Sequence, residues 1–138
     1  MTRTWIRSSV AVLGCAGALM ATSAHACETR TVHVRYGPWL ESRLAGGSRP
    51  IVAHPHRAER SVTVEVNDVT RQCFPAWVGQ DVDHDGTPDM PVSFCGRSPR
   101  IPLDGTTSPV VVQLRWQEAS PGLPVSIAGD AVFRFTAP

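Results

Sequence analysis

The chain contains no lysine; its 13 basic side chains are all arginine. Schiff-base chemistry on a lysine amine is therefore excluded, as is regulation by lysine acetylation. Also missing is any stretch of about ten residues that sustains an apolar period of 3.6, so no long amphipathic helix is expected. Beyond residue 26 no apolar run approaches the roughly 18–20 residues that a membrane-spanning helix requires. No basic stripe marks a nucleic-acid surface, because 11 arginines stand there against 12 acids. Nucleophilic catalysis has no local signature: there is no Gly-x-Ser-x-Gly elbow and no cysteine beside an activating base. A copper carrier would need methionine and histidine clusters, and Met90 is the one methionine after residue 26.

What is present begins with a secretion signal over residues 1–26. Arg3 and Arg7 form a positive start, Val10 to Met20 an apolar stretch, and Ala24-His25-Ala26 a small-x-small cleavage site. The mature chain is expected to start at Cys27 as one domain over 27–138, about 110 residues, enough to bury its own core. Lipid anchoring at Cys27 does not fit the residues before it, since Ala24 and His25 stand where a lipoprotein signal has Leu and a small or aliphatic residue. The expected location is periplasmic or extracellular, where disulfides form. Cys27, Cys73 and Cys95 allow three single bridges. Cys73 to Cys95 is preferred, because the pair brackets an acidic loop and would close about 21 residues, worth about 3 kcal/mol. Cys27 is then left over, free or bridging to another molecule.

Alternation at period two recurs along this domain, in Val32, Val34 and Tyr36; in Val62, Val64 and Val66; and in Val110, Val112, Leu114 and Trp116. It appears again in Val125 and Ile127 and in Ala131, Phe133 and Phe135. Each set describes a strand with one buried face. Gly and Pro clusters punctuate them at the intervals of an all-β domain, and Gly129-Asp130 suits a two-residue hairpin turn. The expected fold is a single-domain antiparallel β-sandwich, immunoglobulin-like in architecture.

The most specific local pattern is Asp81-Val-Asp83-His-Asp85-Gly86-Thr87-Pro-Asp89. Carboxylates this close repel one another, and a hard cation that takes 6–8 oxygens at roughly 2.3–2.6 Å converts the repulsion into coordination. Gly86 permits the sharp turn that aims Asp81, Asp83, Asp85, the Thr87 carbonyl and Asp89 at one point. A helix-loop-helix calcium hand would close with Glu at the twelfth place, where this chain has Val92, and the flanks read as strands. The stretch resembles the Asp-x-Asp-x-Asp-Gly-x-Pro-Asp loops of thrombospondin type 3 repeats and of integrin-type propeller repeats. That resemblance spans about a dozen residues and implies calcium ligation; both families repeat the loop, and here it occurs once.

Two weaker patterns accompany it. His54-Pro55-His56 could chelate a transition metal if further ligands joined. Trp39 and Trp77 could form a partly exposed sugar-stacking surface. The sequence thus reads as a secreted, calcium-binding, non-catalytic module for an extracellular glycan or protein. Alternatives are a subunit of an envelope or extracellular assembly and a small secreted hydrolase.

Overall fold

The computed structural model describes residues 27–41, 49–70, 73, 75–115 and 125–138. The signal expected over 1–26 and the core position expected for Trp116 lie outside these residues. Eight strands are described: β1 (Glu28–Glu41), β2 (Ile51–Ala53), β3 (Ser61–Asp68), β4 (Pro75–Gln80), β5 (Val92–Cys95), β6 (Ile101–Pro102), β7 (Val110–Leu114) and β8 (Val125–Ala137). No helix occurs among the described residues, hence none long and apolar enough to cross a membrane.

The strands pair as the arms of one long antiparallel ribbon: β1 with β8, β2 with β7, β3 with β6, and β4 with β5. Folding the ribbon over on itself brings β8 against β3 and β7 against β4. Two four-stranded sheets result, ordered β1-β8-β3-β6 and β2-β7-β4-β5. This is the double Greek-key order of a jelly roll. It corrects the immunoglobulin-like expectation, since an immunoglobulin sandwich puts its first strand beside its second, and here β1 and β2 lie in different sheets. Period-two alternation marks which face of a strand is buried but carries no information about its neighbours.

The sheets meet across a core in which Val62, Val64, Val66, Phe133 and Phe135 of the first face Ile51, Ala76, Val78, Val112 and Leu114 of the second. Sequence alternation produces this directly, because successive side chains leave a strand on opposite faces. On β7 the outward-facing Val111 and Gln113 are buried as well.

The expected turn at Gly129-Asp130 is absent: β8 runs unbroken, with Gly129 opposite both Tyr36 and Asp68. Glycine is required there for close approach, since a Cβ would lie 2.1 Å from the Asn67 carbonyl oxygen and 2.7 Å from the Tyr36 hydroxyl. That hydroxyl donates to Asp68 Oδ1 at 3.1 Å. Burial, the charge of Asp68 and this hydrogen bond together push the Tyr36 phenol above its ordinary range.

One charged pair pins the β2–β3 loop to β1. Arg30 donates through Nε and Nη2 to the two carboxylate oxygens of Glu59, each at 2.8 Å, and its guanidinium lies 4.7 Å from the Phe135 ring centroid. Glu59 Oε1 also accepts the His56 N–H at 2.7 Å. Burial alone would raise the Glu59 carboxyl, but the hydrogen bonds from Arg30 and His56 and the Arg30 charge hold it below the usual range.

Two outcomes follow for stability. Gly129→Ala should cost about 2–3 kcal/mol in urea unfolding, because the clash is with backbone rather than with a flexible side chain. Glu59→Gln should cost about 2 kcal/mol at pH 7, discounted from a fully buried pair because Arg30 is about a third exposed. The Glu59 contribution is full above the ordinary glutamate range and is lost as pH falls through its lower folded-state value, so the difference between wild type and variant should shrink as the solution is acidified below that range.

Candidate metal centre

The loop 81–91 joins β4 to β5 and is the tip of the rolled ribbon. Its base is anchored at both ends. The Asp81 N–H donates to the Pro109 carbonyl at 2.8 Å, and the Asp89 N–H to the Gln80 carbonyl at 2.9 Å. Pro88 is buried against Gly79, where an added Cβ would come within 3.1 Å of the Pro88 Cβ. Between the anchors the chain turns through left-handed positions at His84 (φ 60°) and Gly86 (φ 90°). At Gly86 an added Cβ would meet nothing within 4 Å, so glycine is required there by the backbone angle and not by crowding.

Five backbone N–H groups are folded onto the carboxylates. Asp81 accepts from Asp85 at 3.0 Å and from Gly86 at 2.8 Å. Asp89 Oδ2 accepts from Val82 at 2.5 Å and from Asp83 at 3.3 Å. Asp85 Oδ1 accepts from the Thr87 N–H at 2.9 Å and its hydroxyl at 2.8 Å. These bonds use one oxygen of Asp85 and one of Asp89, and a 3.3 Å contact from the Asp85 N–H uses Oδ1 of Asp83. The Asp83 and Asp85 carboxyls also contact the Asp81 side chain and one another.

The loop brings together all four sequence-predicted acids. One ligand atom from each of Asp81, Asp83, Asp85 and Asp89 lies within 4.8 Å of the others, with Asp81 buried and the other three exposed. Thr87 adjoins the group as a donor to Asp85. Among the described residues no Arg ion-pairs with any of the four. Partial desolvation, the contact with Asp81 and the charges of Asp85 and Asp89 hold the Asp83 carboxyl above the usual range, whereas the Thr87 N–H and hydroxyl hold Asp85 below it. An all-oxygen, anionic donor set of this kind could hold a hard divalent cation and is poorly matched to soft metals.

The other candidates fare differently. Cys73 and Cys95 are joined as expected, with Cα atoms 5.5 Å apart. Their bridge lies at the end of the β4–β5 hairpin remote from the acids, since Cys95 faces Pro75 and Val92 faces Val78. Cys27 is not a free thiol. Trp39 and Trp77 do not share a surface. Trp39 packs towards the core, while Trp77 lies between Ala76 and Val78, both core residues, and so faces outward. Each ring is also partnered by a guanidinium, Trp39 by Arg49 at 5.6 Å and Trp77 by Arg115 at 4.1 Å. His54 and His56 are exposed, and the four aspartates are the one cluster of three or more His, Cys, Asp or Glu groups among the described residues.

Comparison with protein-family models, curated proteins and solved structures returns no match.

Sequence reasoning missed the seat of Pro88 on Gly79 and the link from Asp81 to Pro109. The bare glycine at 79 was the one local sign of the first, and nothing local signalled the second. Replacing both Cys73 and Cys95 with Ser should lower unfolding free energy by about 3 kcal/mol through the freed chain entropy. Thermal unfolding of the oxidised wild type against this double variant checks it.

Proposed function

We propose that the chain is a secreted, calcium-binding, non-catalytic module for an extracellular glycan or protein. The observation that carries this reading is the convergence of Asp81, Asp83, Asp85 and Asp89 at the ribbon tip without an Arg counter-charge among the described residues. A cation there would relieve the mutual repulsion of four carboxylates and fix a loop whose base is already anchored. The Cys73–Cys95 bridge is compatible with an extracellular compartment. The guanidinium groups on Trp39 and Trp77 weaken these rings as a sugar platform, so the loop itself is the better candidate surface.

Calcium modules of the extracellular kind bind at about 10⁻⁴ to 10⁻³ M. At a free concentration about 100 times the dissociation constant, such a site adds about 2.7 kcal/mol to stability. That corresponds to a midpoint rise of about 10 °C for a domain of this size. Thermal unfolding in EDTA and across a calcium titration, with magnesium as control, should show a calcium-specific rise that both Asp83→Ala and Asp85→Ala abolish. An unchanged midpoint up to tens of millimolar calcium would make the loop a polar turn.

A further inference from the structure

A cavity of about 540 Å³ opens on the side of the sandwich where β5 and β6 form the sheet edges. Its apolar wall is Val82, Met90, Val92, Ile101, Pro102 and Leu103. Val82 and Met90, at the mouth, are 51% and 84% exposed. The polar groups on it are Gln80, Asp89 and Asp104, and no arginine or histidine lines it. The volume falls in the range that encloses most of a small organic molecule. Two acidic residues on an apolar wall, neither in an ion pair among the described residues, select against anions and for a cation with an apolar body.

The two acids are not equivalent. Asp89 belongs to the aspartate cluster, and its Oδ2 already accepts two loop N–H groups. Asp104 is held by its neighbours: its Oδ1 accepts from the Thr106 N–H at 2.9 Å and hydroxyl at 2.7 Å, and its own N–H donates to Gln80 Oε1 at 2.9 Å. Gln80 in turn donates to the Ser108 carbonyl at 3.2 Å. These bonds orient the Asp104 carboxylate, which the Gln80 side chain also contacts.

We propose that this cavity binds a small apolar ligand carrying one ammonium group, with the apolar body against Val92, Ile101 and Leu103 and the ammonium at Asp104. The proposal rests on the binding-module reading and names the chemical class of ligand. The hydroxyl and N–H of Thr106 hold the Asp104 carboxyl below its usual range, so it is charged at neutral pH.

The test is a methyl NMR titration of the chain from Cys27 with octylammonium, 1-octanol and octanoate, each below its micelle concentration and in EDTA. Saturable shifts are expected at the Val82, Met90, Val92, Ile101 and Leu103 methyls, with octylammonium at least tenfold tighter than octanol and octanoate weakest. Asp104→Asn should bring octylammonium to within about threefold of octanol. Met90→Ala, at an exposed position, should weaken all three probes alike and keep their order. Absence of saturable shifts at these methyls up to millimolar probe, octanoate binding as tightly as octylammonium, or an undiminished preference in Asp104→Asn with an intact spectrum would each overturn the proposal. Because the titration is run in EDTA, its failure leaves the calcium reading standing, and a calcium midpoint shift that fails to appear leaves this one standing.

Discussion

The pairing of β4 with β5 is the contact on which the remaining strand order depends. These strands are joined by the short loop 81–91, whereas β1 and β8 pair Glu28 with Ala137, almost the full length of the described chain. The entropy of closing a loop grows with its length, so β1 would meet β8 at high cost unless the strands between them were already paired. Once β4 and β5 are together, β3 with β6, β2 with β7 and β1 with β8 each close only a modest additional loop. Both ends of this hairpin are braced, one by Cys73–Cys95 and the other by the anchored acidic loop. The same nesting makes most contacts distant in sequence, the condition under which folding is slow.

Acids at the loop end of the sandwich are managed in two different ways. Glu59 is buried and satisfied by a bidentate Arg30, with the His56 N–H on one of its oxygens. The four loop aspartates have only N–H groups and one hydroxyl as donors among the described residues, so dipoles offset their repulsion without cancelling their charge. A paired carboxylate is a structural element; four carboxylates on an anchored base, with no ion-pair partner among the described residues, could hold a cation. The two devices are mechanically joined. Leu103 donates to the Arg60 carbonyl and Arg60 to the Thr136 carbonyl, while Asp81 donates to the Pro109 carbonyl, so the loops 54–60, 81–91 and 103–109 and the chain's end form one hydrogen-bonded rim.

For β3 and β7 the strand and its buried face were legible from alternation, since Val62, Val64 and Val66 are all in the core, as are Val110, Val112 and Leu114; the short β2 and β6 left no such pattern, and β8 read as two strands. The four aspartates and the disulfide were legible too, because both are defined by residues close in sequence. Strand order was not, since pairing between β1 and β8 is decided by chain reversal far from either. Gly129 shows how a local rule fails. Gly-Asp is good turn chemistry, yet Val125, Ile127, Gly129, Ala131, Phe133 and Phe135 keep one parity throughout. The uninterrupted phase was the signal for a single strand, and the glycine answered to Tyr36 and Asn67 instead. The two tryptophans show the converse, as partial exposure in sequence terms did not reveal that each has an arginine over its ring.

A ribbon rolled in this way also explains why charge and an apolar opening lie side by side. β5 and β6 follow one another in the chain but belong to opposite sheets, so the segment between them must cross from one to the other. The crossing turns at Gly96, with φ of 82°, and its backbone then binds the edge of β3: Val66 donates to Gly96, and Ser98 to Val64. This closes the side of the sandwich near the disulfide. Towards the other end, Val92 and Ile101 sit on edges that no backbone bond unites among the described residues, and the cavity opens between them. The acidic loop leaves the sandwich at that same end, so Val82 and Met90 become part of the cavity mouth. Neither feature needs an insertion or an added strand. Both follow from placing the tip of the ribbon and its crossing strand on one side of a jelly roll.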